Sequence, residues 1–153
     1  MRIPPQEAPS ARVAPRSDRL AAIRVMMTEE EFIRLNYEHY SGLFPRTCSG
    51  CGRTFASLRE YIQATRPIGA TISYDAELGE WKTTQPLGAA ALANCSCGST
   101  LALTTEGIPL EDIQRMLEWM KVETAKRGVT SAELLGYVRE QVRKLAMTDR
   151  SQD

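Results

Sequence analysis

The 153-residue sequence has little of the machinery that most enzymes need. It contains one histidine, His39, and we find no phosphate-binding glycine loop, serine nucleophile elbow or metalloprotease motif. The acidic run at positions 29–31 stands at a predicted helix start, where it complements the helix dipole without any catalytic role. We therefore predict no catalytic residues. We interpret His39 as a packed or hydrogen-bonded side chain on a helix face, rather than as a general base or a metal ligand.

The sequence has no excess of either charge. Nineteen Lys and Arg residues balance nineteen Asp and Glu residues, so the formal net charge is zero at pH 7. Proteins that wrap nucleic acid usually carry a basic surplus, so the balance argues against that class. Four arginines nevertheless surround the first cysteine pair and keep a nucleic-acid-binding alternative open: Arg46, Arg53, Arg59 and Arg66.

Long hydrophobic runs are missing as well. No stretch approaches the roughly 18 apolar residues of a membrane-spanning helix. Residues 1–19 carry arginines among prolines and alanines instead of a secretory hydrophobic region. These patterns predict a cytoplasmic protein with no membrane association. Because that compartment keeps thiols reduced, paired cysteines there indicate metal ligands or redox groups more readily than disulfides.

The residues that are present predict an α+β protein with a single domain. Hydrophobic residues make up 42% of the chain, which is enough to bury a core. We expect a flexible tail at 1–16, the domain at 17–147 and a second tail at 148–153. Within the domain we distinguish a helical N-terminal part (17–45), a small antiparallel β unit that binds a metal (46–104) and a C-terminal helical hairpin (108–147).

Local signals place the elements. Capping-box patterns predict helix starts at Thr28, Ser57 and Thr130. We expect the second of these helices to be broken at Pro67 and Gly69. Strand patterns follow at 71–74, 80–84 and 99–104, with turns at 75–79 and 86–88.

The last third of the chain predicts two helices. Pro109 suits the first turn of one helix, and Gly128 suits its C-terminal cap. The short connection predicts antiparallel packing. Trp119 lies off the main stripe of its helix, which favours an exposed position at an interface. The last helix has an apolar stripe that either packs within the chain or forms a surface for a partner. The stripe consists of Leu134, Val138, Val142 and Leu145.

The four cysteines form two glycine-backed pairs, C-x-x-C-G at 48–52 and C-x-C-G at 95–98. A tetrahedral metal ion needs four thiolates at one point, and glycine tolerates the positive φ of a loop that turns around a metal. We therefore predict one metal site, with these ligands: Cys48, Cys51, Cys95 and Cys97.

Over residues 46–104, these two cysteine turns resemble the zinc ribbon, a small β-sheet domain in which two such turns clamp one zinc ion. The resemblance implies a structural Zn²⁺ held by four thiolates, with no open position for water. The chain departs from the usual pattern in two ways. The second pair is C-x-C, and residues 52–94 form a longer separation than the familiar spacing of about 15–20 residues.

Other uses of four cysteines remain as alternatives. An iron–sulfur cluster also takes four thiolates, although neither familiar ferredoxin spacing is present. A redox-active dithiol at Cys48 and Cys51 lacks the β-α-β context of thioredoxin-like proteins. Haem attachment needs a histidine after the second cysteine, and Gly52 stands there.

These patterns lead to three hypotheses of function. We favour a non-catalytic interaction or regulatory protein, in which zinc fixes a scaffold and the helices bind a protein partner or a second copy. The first alternative is a redox or metal sensor based on the thiols or on an iron–sulfur cluster. The second is a nucleic-acid-binding zinc ribbon.

Overall fold

The computed structural model describes residues 26–73 and 89–149. Within these ranges the chain forms four helices, one two-stranded sheet and one three-stranded sheet, which confirms the α+β class. The elements, in chain order, are α1 (Glu29–Ser41), β1 (Arg46–Thr47), β2 (Thr54–Phe55), α2 (Leu58–Ala64), β3 (Thr65–Ser73), β4 (Ala89–Cys95), β5 (Thr100–Thr104), α3 (Leu110–Arg127) and α4 (Ser131–Thr148).

Capping boxes fix the starts of α1 and α4, as predicted. The Thr28 hydroxyl accepts from the Glu31 amide at 3.1 Å, and the Glu31 carboxylate accepts from the Thr28 amide at 2.8 Å. Thr130 and Glu133 repeat the arrangement at 3.2 and 2.7 Å. Each box satisfies two amides that would otherwise have no partner in the helix.

The end of α2 differs from the prediction. The helix stops at Ala64 and passes directly into β3, so Pro67 and Gly69 lie inside a strand instead of breaking a helix. Among the described strands, β3 stands at the edge of the order β3-β4-β5, and an edge position tolerates a proline, which has no amide hydrogen to donate to a neighbouring strand. Gly69, with a φ of 59°, falls where the pairing with β4 shifts register, between Ile68 and Ile72.

The two sheets are antiparallel throughout. β1 pairs with β2, and β4 is the central strand of the larger sheet, with Cys95 opposite Thr65 of β3. β5 confirms the strand predicted at 99–104. Residues 71–73 belong to β3, whereas the predicted strand at 80–84 and the turns at 75–79 and 86–88 lie outside the described residues.

The C-terminal hairpin forms as predicted. Gly128 caps α3 with a left-handed φ of 66°, and Pro109 is the residue just before the first turn of that helix. The apolar stripe of α4 holds at Leu134, Val138 and Val142, but Leu145 is 38% exposed. The four-residue spacing of the first three positions continues instead to Ala146, which is fully buried.

Trp119 is part of the core, and the prediction of an exposed interface residue was wrong. Its side chain is 4% exposed, and its ring centroid lies 4.4 Å from that of Phe32 on α1. Because α1 covers this flank of α3, the buried face of α3 is wider than a single apolar stripe. In the described part of the chain, no helix is long and apolar enough to cross a membrane.

Candidate metal centre

The first cysteine turn connects β1 to β2. The Cys48 amide donates to the Arg53 carbonyl, and the Gly52 amide donates to the Cys48 carbonyl, both at 2.8 Å. Gly52 has a φ of 73°, a conformation that side chains with a Cβ rarely adopt. The glycine therefore closes a tight loop around the sulfurs of Cys48 and Cys51.

The second cysteine turn connects β4 to β5 and repeats this construction. The Cys95 amide donates to the Ser99 carbonyl, and the Gly98 amide donates to the Cys95 carbonyl, both at 2.9 Å. Gly98 has a φ of 91°. Each turn thus closes an antiparallel hairpin.

The structure brings all four predicted cysteines within metal-binding distance. Their sulfur atoms lie within 4.8 Å of one another. The Sγ atoms of Cys48 and Cys97 are 3.7 Å apart, and those of Cys51 and Cys95 are 3.8 Å apart. A disulfide needs about 2.05 Å, so these atoms are not bonded. Four thiolates at about 2.3 Å from one tetrahedral zinc ion lie about 3.8 Å apart, so the donor set fits a single ion of this kind.

One cysteine of each pair anchors the cluster, and the other faces outwards. Cys48 is 0% exposed and Cys95 is 3% exposed, whereas Cys51 and Cys97 are exposed. Cys48 and Cys95 belong to the same buried cluster as Phe55 and Tyr61, whose rings pack edge to face with centroids 5.5 Å apart. The centre therefore lies at the surface, with one cysteine of each pair in the hydrophobic core.

Hydrogen bonds to sulfur favour the thiolate at two positions. The backbone amides of Cys51 and Gly50 lower the pKa of Cys48. The Ser99 hydroxyl, 3.3 Å from the Cys97 sulfur, and the Ser99 amide lower the pKa of Cys97 to about 6. Both turns therefore present donors to negatively charged sulfur, as metal-bound thiolates require.

The pKa of Cys51 is shifted in the opposite direction, because three other sulfur atoms lie close to it. The Arg53 amide favours its thiolate, but contacts with the sulfurs of Cys97, Cys48 and Cys95, together with burial, outweigh that effect and raise the pKa to about 11. Sulfurs this close resist the accumulation of negative charge. A cation at their centre offsets this repulsion, so the cluster has the electrostatics of a cation site.

A contact between the two turns was missed by reasoning from the sequence. A Cβ atom on Gly50 would lie 1.9 Å from the Ser99 hydroxyl and 3.4 Å from the Cys97 sulfur. Gly50 therefore lets the first turn approach the second. Its position between two cysteines was visible in the sequence, but the approach of Ser99 depends on how the hairpins dock.

His39 has the role expected of it. Its Nε2 atom lies 2.9 Å from the Thr104 carbonyl oxygen, and its ring meets that of Tyr40 edge on. In the described ranges, the metal-binding group consists of the four cysteines and does not include His39. The histidine connects the end of α1 to β5.

Three of the four arginines around the first pair bind elsewhere in the chain. Arg46 donates to the Ala102 carbonyl at 2.6 Å, and Arg59 donates to the Met147 carbonyl at 2.7 Å. Arg53 lies over the Phe55 ring and 3.8 Å from a carboxylate oxygen of Glu60. These contacts give the guanidinium groups structural roles within the fold.

Comparison of the chain with protein-family models, with curated proteins and with solved structures finds no significant match. The resemblance to the zinc ribbon therefore rests on the two cysteine turns and their hairpins, and the geometry of the four sulfurs carries the functional interpretation.

Proposed function

We propose that the four cysteines hold one structural Zn²⁺ and that the protein is a non-catalytic scaffold for protein interaction or regulation. The observation that carries the proposal is the convergence of four sulfurs, two from each of two hairpins, to within 4.8 Å. The metal would tie the β1–β2 hairpin to the β4–β5 hairpin. Binding free energy at such sites is on the order of 10 kcal/mol and acts as folding free energy.

The sulfur separations favour a single ion over an iron–sulfur cluster. The separations of 3.7 and 3.8 Å match edges of a tetrahedron around one ion, and no sulfur lies more than 4.8 Å from another. A cluster inserts several irons and sulfides between the thiolates and therefore needs a wider arrangement of ligands. A single iron ion takes the same four donors as zinc, and its colour distinguishes the two metals.

A structural role follows from the donor count. Four protein thiolates fill a tetrahedral zinc site, so no position remains for the water or substrate that catalytic zinc requires. β1 and β2 are two residues each, too short to form a stable hairpin alone. The metal therefore supplies the stability that this hairpin lacks.

The scaffold role is favoured over nucleic-acid binding by the contacts of the arginines. Arg46 and Arg59 donate to backbone carbonyls, and Arg53 pairs with a carboxylate and lies over a ring. Fewer of their hydrogen-bond donors are therefore left to bind the phosphates of a nucleic acid. The chain as a whole has no net charge. We propose a protein partner or a second copy as the ligand of the helical part, which light scattering and cross-linking of the purified protein test.

The direct experiment replaces one ligand. Cys51→Ser should reduce bound zinc from one ion per chain to well below one and disorder the β1–β2 turn, seen as lost amide dispersion in an NMR spectrum. Ser49→Ala is the matched control, since Ser49 is exposed in the same turn and contributes no sulfur. If Cys51→Ser retains both its metal and a native spectrum, the proposal is wrong.

The exposure of Cys51 and Cys97 favours one second candidate, a thiol-based redox sensor. Peroxide would oxidise two thiolates to a disulfide and be reduced to two water molecules as two protons are taken up, and the metal ion would be released. The test is zinc release at peroxide concentrations that spare a fully buried four-cysteine site. If this site and the fully buried reference site release zinc at the same peroxide concentration, the sensor hypothesis is wrong.

A further inference from the structure

A cavity of about 180 Å³ lies between the three-stranded sheet and helices α1, α2, α3 and α4. None of the four cysteines lines it. Its wall is mainly apolar and includes Phe32, Leu92, Met116, Met120, Leu135 and Val138. The cavity is open to solvent on one side, so a small molecule can enter it without any rearrangement of the fold.

The mouth of the cavity lies between β3 and α4. The exposed residues of the lining mark it: Pro67 on β3, and Glu140 and Arg143 on α4. Arg139 also lines the cavity, and its guanidinium donates to the Gly69 carbonyl at 3.3 Å. Two guanidinium groups and one carboxylate give this rim a net positive charge.

Arg143 is the rim residue whose guanidinium donors are not used by the rest of the fold. Within residues 26–73 and 89–149 it has neither a hydrogen-bond partner nor an ion-pair partner. A guanidinium presents its donors in a planar fork that matches both oxygens of a carboxylate. The rim therefore offers an anion a binding group that the fold does not use.

The interior is suited to an apolar body. The Asn36 amide donates to the Phe32 carbonyl at 2.8 Å, and the Thr65 hydroxyl donates to the Tyr61 carbonyl at 2.7 Å. Two of the polar side chains in the wall are thus already paired with the backbone, whereas the Tyr61 hydroxyl is buried with no hydrogen-bond partner in the described part of the chain.

Apolar surface is left incompletely covered in the same place. Tyr40, Ile62 and Leu117 line the cavity and are only partly buried, although each packs against the core. An apolar ligand would complete their burial. The enclosed volume suits one small molecule, and it is too small for a helix of a partner protein, which is at least 10 Å across.

We propose that this cavity binds a small carboxylic acid whose apolar part is about one aromatic ring, with its carboxylate at Arg143 and its ring among the core side chains. A dry cavity of about 150 Å³ is known to take benzene, so 180 Å³ accommodates a ring with a short side chain. This inference does not depend on the identity of the metal.

The test uses the full chain with its metal bound and two matched probes, phenylacetate and the neutral benzyl alcohol. Calorimetry gives the affinities, and the methyl resonances of Met116 and Met120 report whether the cavity is occupied. We expect phenylacetate to bind at least tenfold more tightly than benzyl alcohol and to shift both methyl signals.

Three variants and one control variant locate the binding. Arg143→Gln should weaken phenylacetate about tenfold and leave benzyl alcohol unchanged, whereas Lys144→Gln, a neighbouring exposed charge outside the lining, should affect neither probe. Glu140→Gln should tighten phenylacetate because it removes a repelling carboxylate. Ala91→Leu, which fills part of the cavity, should weaken both probes.

Each contrary result overturns the proposal. If neither probe binds, the cavity is not a site for this class of ligand. Equal affinities for both probes contradict the role of the rim in selecting acids. Phenylacetate binding that is insensitive to both Arg143→Gln and Ala91→Leu places the acid elsewhere on the protein.

Discussion

The sulfur atom of Cys48 lies 3.7 Å from the sulfur atom of Cys97, although the two residues are 49 positions apart and belong to different hairpins. The distance is too long for a disulfide and matches one edge of a tetrahedron of thiolates around a zinc ion. One of the two sulfurs is buried and the other faces solvent. The pair thus includes one sulfur on the buried side of the centre and one on its exposed side. A metal ion bound to both sulfurs would hold the two hairpins together.

Gly50→Ala should weaken metal binding. The new Cβ would meet the Ser99 hydroxyl at 1.9 Å, so Ser99 must move away and lose the hydrogen bond that joins its hydroxyl and the Cys97 sulfur. Loss of a hydrogen bond to a metal ligand typically costs 10–100-fold in affinity, and we expect about tenfold here. Competition with a chromophoric chelator measures the change.

Gly136→Ala is the control for this substitution. Gly136 lies in α4, and a Cβ there meets nothing within 4 Å. Alanine in a helix is favoured over glycine by about 0.5–1 kcal/mol, so this variant should be slightly more stable and should bind metal like the parent. Equal metal affinities of the two alanine variants would contradict the docking of the turns described above.

Trp119→Ala should destabilise the fold strongly. The indole is buried against Phe32 at the contact between α1 and α3. Replacing a buried tryptophan with alanine costs about 3–5 kcal/mol through lost contacts and the cavity that remains. Denaturant unfolding measures this cost. Val122→Ala, at an exposed position on the same helix, should change stability by less than about 0.5 kcal/mol.

Acid should weaken the junction of α1, α3 and α4. Hydrogen bonds from Tyr137 and Arg127 lower the pKa of Glu29, and the hydrogen bond from Arg127 lowers that of Glu123. A carboxyl group whose pKa is lower in the folded state adds stability above its unfolded pKa of about 4.5, and this stability disappears as the pH falls through the folded value.

The measurement is the free energy of unfolding between pH 6 and pH 3, with metal content followed in parallel because acid also protonates thiolates. Arg127→Gln should flatten the part of this dependence that arises from Glu29 and Glu123. Lys121→Gln, an exposed charge on the same helix, should leave it intact. An unchanged pH profile for Arg127→Gln would show that the carboxylates are not held as described.

The features that the sequence predicted correctly depend on neighbours along the chain. A capping box such as that of Thr28 and Glu31 spans one helical turn, and a left-handed cap such as Gly128 depends on its own backbone. The cysteine pairs are also local patterns. Their convergence was predictable because four thiolates complete one tetrahedral site.

The errors depend on contacts between elements. The local sequence around Pro67 predicts the end of a helix. Its position in a strand is explained only by the place of β3 at the edge of the described sheet. Trp119 lies off the stripe of its own helix and is buried because α1 covers it. The contact between Gly50 and Ser99 exists only once the two hairpins meet. None of these relationships has a signal within one segment of sequence.

Elemental analysis with a visible spectrum, on protein purified without oxygen, tests the central claim most directly. We predict one zinc ion per chain and no absorbance in the visible range, with Cys51→Ser losing the metal. Iron with a coloured spectrum would contradict the assignment of zinc, and with sulfide present it would establish a cluster. A folded protein with no stoichiometric metal would contradict the metal centre itself.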